Sequence, residues 1–203
     1  YASDLNPVAV LLNKVVLEYI PKYGKNLGNE VQKWGQWVAE KAEKELSPFY
    51  PKDPDGSTPI AYLWARTIRC EGPGCGAEIP LISSLYLAKK RNRIIALKLL
   101  INKEEKSVKV EIVKYNRESD VGEGTVKRGS CICPICGFTT PITSVRNQMI
   151  FQHGGAEHSR LLCVVITKSD QQGRYYRLPI DQDYIAIKKA SEALDQLEKV
   201  STG

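Results

Sequence analysis

Four cysteines in two short stretches rich in glycine and proline are the residues of this sequence best suited to chemistry. They are Cys70, Cys75, Cys133 and Cys136. The first pair lies in residues 69–76, the first knuckle, and the second pair lies in residues 131–137, the second knuckle. Four thiolates at such spacings suit a closed tetrahedral zinc site of the ribbon type. We therefore predict a structural zinc bound by all four, with disulfides or unpaired thiols as the alternative.

The two knuckles resemble each other beyond their cysteines. The pattern Cys-Gly-x-x-x-Pro-apolar-x-Ser occurs twice, at residues 75–83 and 136–144. Such a pseudo-repeat is expected when two similar turns face each other across one metal ion. The glycine after each second cysteine is predicted to take a positive φ as the chain leaves the turn. Because four thiolates leave no open position for water, the site should shape the fold and not catalyse a reaction.

The other cysteines and the two histidines are weaker candidates for the metal. Cys131 competes for the second knuckle, but only one residue separates it from Cys133, so we predict that it is a neighbour and not a ligand. Cys163 lies in an apolar run that reads as a buried strand, where a small apolar side chain is expected. His153 and His158 could replace a thiolate, although four cysteines already suffice.

The hydrophobic pattern around these residues predicts an α+β protein in three parts. Residues 1–50 read as a helical segment, residues 51–180 as a β-rich zinc-ribbon region, and residues 181–203 as a C-terminal helix. Within the first part, Pro21 is expected to end one amphipathic helix, and a loop at 22–29 precedes the next.

Two β-hairpins are predicted in the β-rich part, at residues 93–113 and 161–178. The first hairpin falls in the long gap between Cys75 and Cys133. We therefore expect a zinc ribbon with an inserted hairpin, and not a compact finger.

Composition sets broad limits on the class of protein. The chain has 203 residues, of which 42% are hydrophobic and 26% charged, and no apolar run approaches the ~18 residues of a membrane span. Cysteines in metal-like pairs indicate a reducing compartment, so we expect a cytoplasmic protein. The net charge of +6 permits an anionic partner such as nucleic acid without requiring one. Because the chain opens on Tyr1 within what reads as a structural unit, we expect a fragment.

Several stretches together resemble a known family, and they extend over nearly the whole chain. Besides the knuckles they are residues 1–9 (YASDLNPVA), 31–35 (VQKWG), 56–67 (GSTPIAYLWART) and 173–179 (GRYYRLP). This combination resembles the middle portion of prokaryotic adenine-specific DNA methylases that contain a zinc ribbon. The resemblance implies a region inserted into an α/β, class I S-adenosylmethionine-dependent methyltransferase fold.

The resemblance also implies roles for particular residues. Asp4 would occupy the position whose carboxylate binds the ribose hydroxyls of S-adenosylmethionine, whereas the residues alone favour a helix cap. The family's glycine-rich donor loop would precede Tyr1, and its Asp-Pro-Pro-Tyr motif is nowhere in the chain. We therefore expect no catalysis by this chain alone. Its partners would be DNA and the remainder of the methyltransferase domain.

A basic cluster at the entry of the first hairpin is the candidate DNA contact. It consists of Lys89, Lys90, Arg91 and Arg93. We expect these cations to meet phosphates, because no acidic residue lies near them in the sequence; a solvated hairpin end is the alternative.

A second function of another class is a non-enzymatic module whose ribbon docks a partner protein. Salt dependence separates the two functions, since only phosphate binding must weaken steeply with salt. A redox-active dithiol is not favoured, because such a pair needs a helix N-terminus that the knuckles do not offer.

Overall fold

The computed structural model describes residues 5–90, 93–153 and 156–201. Asp4 and Arg91, two of the candidate site residues, lie outside the described residues. The chain divides into two compact units, Tyr1–Phe49 and Tyr50–Gly203. None of the helices in the described residues combines the length and hydrophobicity needed to cross a bilayer.

The first unit is helical. It contains α1, a π-helical turn, α2 and a 3-10 turn, at Pro7–Lys14, Val15–Tyr19, Ile20–Leu46 and Ser47–Phe49. The Asn6 side chain accepts a hydrogen bond from the Val8 N–H at 2.9 Å and thereby caps α1. Trp34 and Trp37 on the apolar face of α2 remain about half exposed.

The predicted helix end at Pro21 and the loop at 22–29 are wrong. Proline removes one i to i−4 hydrogen bond, but here it follows a π-helical turn, where the ordinary bonding pattern is already interrupted. The chain instead departs from helical geometry at the single residue Gly24, with φ 51° and ψ −134°. That φ lies in the region that glycine tolerates best.

The second unit contains ten strands and two α-helices among its described residues. The strands are β1 (Thr58–Arg69), β2 (Glu78–Pro80), β3 (Tyr86–Lys90), β4 (Arg93–Asn102), β5 (Ser107–Tyr115), β6 (Val126–Lys127), β7 (Ser130–Ile132), β8 (Thr139–Thr140), β9 (Ser159–Lys168) and β10 (Gln171–Arg177). The helices are α3 (Ile142–Phe151) and α4 (Asp181–Ser201). The prediction of an α+β fold with N-terminal helices, antiparallel hairpins and a C-terminal helix is thus confirmed.

The strands form three antiparallel sheets, ordered β10-β9-β1-β2, β3-β4-β5 and β6-β7-β8. In the first sheet, β1 pairs along most of its length with β9, from Thr58 opposite Thr167 to Arg66 opposite Ser159. The apolar run of β9 is buried throughout, as predicted, and Cys163 within it is fully buried. The far end of β1 leads directly into the first knuckle.

Both predicted hairpins are confirmed. Strands β4 and β5 pair continuously from Ile94 opposite Tyr115 to Asn102 opposite Ser107. Strands β9 and β10 also pair in antiparallel register around a tight turn. The β3-β4-β5 sheet stands between the two knuckles in sequence, so a hairpin is inserted between them, as expected.

A partly buried arginine joins three segments of the second unit. The Arg177 guanidinium donates to both carboxylate oxygens of Asp53 at 2.6 Å and to those of Asp183 at 2.6 and 2.9 Å. The side chains of Asp53 and Asp183 are only 7% and 2% exposed. Burial alone would raise the pKa of Asp183, but the Arg177 charge and the Ile180 N–H outweigh it and hold that pKa below its ordinary value. The arginine therefore ties β10 to α4 and to the loop before β1.

Replacement of Arg177 by methionine should destabilise the second unit strongly. Two buried carboxylates would lose their counter-charge, which costs about 3–5 kcal/mol when one partner of a buried pair is removed. Chemical denaturation followed by circular dichroism measures the loss. The matched control is Arg174→Met on the same strand, where the side chain is exposed and the change should stay within about 0.5 kcal/mol. Equal stabilities of the two variants would show that the Arg177 cluster contributes little.

The same cluster predicts a dependence of stability on pH. Because the folded-state pKa of Asp183 is depressed, its contribution is fully present above its unfolded pKa of about 3.9 and is lost as pH falls through the folded value. Asp183→Asn should therefore flatten the decline of the unfolding free energy below about pH 4. If the unfolding free energy of this variant falls with pH as steeply as that of the unaltered protein, other carboxylates cause the decline.

Candidate metal centre

The first knuckle is a turn between β1 and β2. Cys70 directly follows β1, and its N–H donates to the carbonyl of Ala77 at 2.8 Å. The Cys75 N–H donates to the Gly72 carbonyl at 3.0 Å, which closes the turn. The Gly72 N–H in turn donates to the Cys70 sulfur at 3.3 Å, an interaction that favours a thiolate at that position.

The second knuckle repeats this arrangement between β7 and β8. The Cys133 N–H donates to the carbonyl of Phe138 at 2.9 Å. In both knuckles, therefore, the N–H of the first cysteine donates to the carbonyl of the residue two positions after the second cysteine. Gly76 and Gly137 have φ values of 62° and 77°, which confirms the positive φ predicted after each knuckle. The pseudo-repeat in sequence is therefore a repeat in backbone geometry.

The sulfur atoms of the two knuckles converge on one centre. The Sγ atoms of Cys70, Cys75, Cys133 and Cys136 all lie within 4.8 Å of one another. Between the two knuckles, the Sγ atom of Cys70 lies 3.6 Å from that of Cys136, and the Sγ atom of Cys75 lies 3.9 Å from that of Cys133. A tetrahedral site with Zn–S bonds of about 2.3 Å requires sulfurs about 3.8 Å apart. The group could therefore hold a metal ion, and its spacing is consistent with zinc.

The remaining cysteines and the histidines do not belong to this group. Cys131 is fully buried beside the site, and its burial raises its pKa to about 11. Cys163 lies in β9 and belongs to another hydrophobic cluster. Neither His153 nor His158 is part of the four-cysteine group. None of the six cysteines forms a disulfide.

The four thiols differ in their electrostatic surroundings. Burial raises the pKa of Cys70 and Cys133. At the exposed Cys136, the hydrogen bond from the Phe138 N–H lowers the pKa to about 7. Holding all four as thiolates in so small a volume requires a compensating positive charge, which a divalent metal ion would supply.

Helix α3 supports the first knuckle through side chains that the sequence reasoning missed. Gln148 accepts the Arg69 N–H at 2.8 Å and donates to the Arg69 carbonyl at 3.1 Å and to Glu71 at 2.9 Å. The Ser144 hydroxyl donates to the Glu71 carboxylate at 2.8 Å. Ser144 ends the repeated Cys-Gly-x-x-x-Pro-apolar-x-Ser pattern, and that repeat was the available signal for its role.

The inserted hairpin also reaches the first knuckle. Lys106, in the turn between β4 and β5, donates from Nζ to the Gly74 carbonyl at 2.6 Å. Its φ of 49° places it in the left-handed region, which a tight hairpin turn demands. The hairpin tip is therefore attached to the metal-binding turn.

The basic cluster proposed for DNA is divided among different environments. Lys89 forms an ion pair of 2.6 Å with Glu118, so the expectation that no acid neutralises the cluster is wrong at that residue. Glu118 is remote in sequence, but the segment after β5 returns to β3, where the Tyr86 hydroxyl also donates to the Glu118 carbonyl at 3.3 Å. Within the described part of the chain, Lys90 and Arg93 have no carboxylate at ion-pair distance. Arg93 lies 5.5 Å from the centre of the Tyr175 ring.

No family model, no curated protein and no solved structure matches this chain. The interpretation of the four-cysteine centre therefore rests on its own geometry.

A close approach of the two knuckles at Gly72 provides a test of that geometry. A Cβ atom there would lie 2.8 Å from the Phe138 Cβ and 3.1 Å from the Cys136 sulfur. Gly72→Ala should displace the second knuckle and weaken metal affinity about 10- to 100-fold, the range typical of changes beside metal ligands. Competition with a chromophoric chelator measures this affinity.

Gly122→Ala is the matched control for this change. Its Cβ would meet only the Leu85 side chain at 3.7 Å, an ordinary contact, so metal affinity should stay within about twofold. Equal affinities of the Gly72→Ala and Gly122→Ala proteins would contradict the packing of the knuckles.

Proposed function

We propose that this chain is a zinc-stabilised, DNA-contacting region of an S-adenosylmethionine-dependent adenine-N6 DNA methyltransferase, and that it is not catalytic by itself. The observation that carries the proposal is the convergence of four thiols from two matching knuckles within 4.8 Å. It occurs in a sequence whose other motifs resemble the zinc-ribbon adenine methylases.

Zinc is the metal that this donor set favours. Four sulfur ligands near tetrahedral spacing suit zinc or iron and disfavour magnesium or calcium, which prefer oxygen. All four positions of a tetrahedral ion would be filled by protein, so no position would remain for water or substrate. The metal would therefore have a structural role.

The β-rich unit has a physical need for such a metal. The strands that frame the second knuckle, β6, β7 and β8, have only two or three residues each. The hydrophobic cluster around the site is small, with Ile68, Ile79 and Val145 as its large buried aliphatic side chains. Metal binding would add folding free energy where hydrophobic burial is limited.

The methyltransferase assignment rests on the resemblance, and it implies a division of roles. The remainder of the methyltransferase domain would bind S-adenosylmethionine, which supplies the methyl group, and would hold the target adenine. Asp4 would contribute to the donor site from this chain. The β-rich unit would contact the DNA outside the reacting base.

Exposed cations support a contact with DNA. The chain carries a net charge of +6. Lys90 and Arg93 stand opposite each other in the β3–β4 register, so the hairpin brings two cations to one end. Phosphates attract such unneutralised cations, and this part of the affinity does not depend on base sequence.

Docking of a partner protein is the second candidate function, and one observation favours it. Ile150 and Phe151, at the end of α3, are 70% and 85% exposed. Large apolar side chains so exposed beside a metal-supported turn are typical of a protein-binding surface. Binding through them would persist at high salt, unlike binding to phosphates.

The zinc proposal predicts that the purified chain contains one zinc ion per molecule. Cys75→Ser and Cys136→Ser should each release the metal and unfold the β-rich unit, because metal binding and folding are coupled. Cys163→Ala is the control and should retain the metal, since Cys163 is not one of the four. Elemental analysis gives the metal content, and an iron site would reveal itself by visible absorption. Unchanged zinc in both serine variants would reject these ligands.

The DNA proposal predicts weak, sequence-independent binding of the zinc-loaded chain to a DNA duplex. The double change Lys90→Ala and Arg93→Ala should reduce the slope of log affinity against log salt by about two, since each phosphate contact contributes about 0.9. Lys89→Ala is the matched control and should change the slope little, because Glu118 already neutralises Lys89. Fluorescence anisotropy at several salt concentrations measures these slopes.

Two outcomes would contradict the DNA proposal. One is the absence of duplex binding at low salt, and the other is a slope that the double change leaves unaltered. Either outcome would favour the partner-docking function.

A further inference from the structure

A groove in the second unit combines cations, an aromatic platform and an apolar floor. We infer that it binds an unpaired nucleotide of a DNA strand. This inference rests on the proposed contact with DNA, and it names the form of DNA and the side chains that recognise it. The groove lies between the β4–β5 hairpin and β10 and has a volume of about 490 Å³.

The sequence register places the cations and the floor on one face of the hairpin. Alternate residues of a strand point to the same side, so Arg93 and Ile95 share a face of β4. Lys114 pairs directly with Ile95 from β5 and shares that face with Ile112. The groove is thus lined by Ile95 and Ile112, with Arg93 and Lys114 beside them.

The opposite wall of the groove is aromatic. Tyr175 and Tyr176 of β10 line it, followed by Leu178. The Arg93 guanidinium lies 5.5 Å from the Tyr175 ring centre, and the Lys168 ammonium lies 5.6 Å from it. An arginine this close to a tyrosine ring gives a surface that is both cationic and aromatic, of the kind that unstacked bases lie against.

Hydrogen bonds fix this stacking surface before a ligand arrives. The Tyr175 hydroxyl donates to the Gln171 side chain at 2.8 Å, and Arg93 donates to the Arg174 carbonyl at 3.3 Å. The Tyr176 hydroxyl donates to the Leu87 carbonyl at 2.9 Å. Because the side chains are already oriented, binding would incur little further loss of rotamer entropy.

The charge available to a ligand in the groove is positive. Arg177 also lines the groove, but Asp53 and Asp183 satisfy its guanidinium. Glu111 is the one carboxylate among the described lining residues, and it stands opposite Lys98 in the strand register. Arg93 and Lys114 outnumber this carboxylate and can attract a phosphate.

These features favour an unpaired nucleotide over a duplex. A volume of about 490 Å³ is that of a small-molecule site, and a double helix does not fit into it. A base within a duplex is stacked on both faces and cannot lie against Tyr175, whereas an unpaired base can. An acidic peptide would use the two cations but would leave the aromatic platform without a role.

Anisotropy titration of the zinc-loaded full chain with a fluorescent oligothymidylate of about ten nucleotides tests the inference. Tyr175→Leu removes the aromatic face and should weaken binding about tenfold, whereas Tyr175→Phe keeps the face and should retain affinity within about twofold. Lys114→Gln should weaken binding about threefold or more. Lys109→Gln, on the opposite face of β5, is the matched control and should have little effect.

Retained zinc content and an unchanged circular dichroism spectrum ensure that a weak Tyr175→Leu variant is still folded. Three results would overturn the inference: no binding of the oligothymidylate, equal affinities of Tyr175→Leu and Tyr175→Phe, or equally tight binding of polyglutamate. If the chain binds the duplex but not the oligothymidylate, the proposed DNA contact stands and the groove inference fails. If it binds neither, both fail.

Discussion

The convergence of four thiols on one centre is the constraint on which the β-rich unit depends. The two knuckles are separated by a whole hairpin, so bringing them together loses the conformational entropy of a long loop. The local strands around the second knuckle are too short to offset that loss by hydrogen bonds alone. A metal ion bound by all four sulfurs would supply the missing free energy at one point. The neighbouring elements then share that point as their common attachment.

Local signals made much of this arrangement predictable. The cysteine spacing and the glycines after each pair indicated two matching turns, and the structure has both turns with positive φ at Gly76 and Gly137. Strand-sized apolar segments separated by short turns predicted both hairpins, and the apolar run around Cys163 predicted a buried strand. These features depend on residues close together in the sequence, and for that reason the sequence alone reveals them.

Features that depend on distant residues were not predictable in the same way. The pairing of Lys89 with Glu118 follows from the path of the chain after β5. The contacts of Arg177 with Asp53 join segments far apart in sequence. Pro21 shows the reverse case, because a strong local signal for a helix end was overridden by a π-helical turn and by Gly24. Tertiary packing decides the contacts of Lys89 and Arg177, and no single stretch of sequence encodes it.

The proposed metal site and the proposed nucleotide groove are connected through the inserted hairpin. At the hairpin tip, Lys106 donates to the carbonyl of Gly74 in the first knuckle. Near it, Arg160 of β9 donates to the Val108 carbonyl of β5 and forms an ion pair of 2.6 Å with Glu78 of β2. The same β5 strand carries Lys114 at its other end, beside the groove. A metal that orders the knuckles would therefore also hold one wall of the groove in place, although it contacts no ligand there. This connection gives a closed, non-catalytic metal site a role in recognition: it would fix the spacing between Lys114 on the hairpin and Tyr175 on β10.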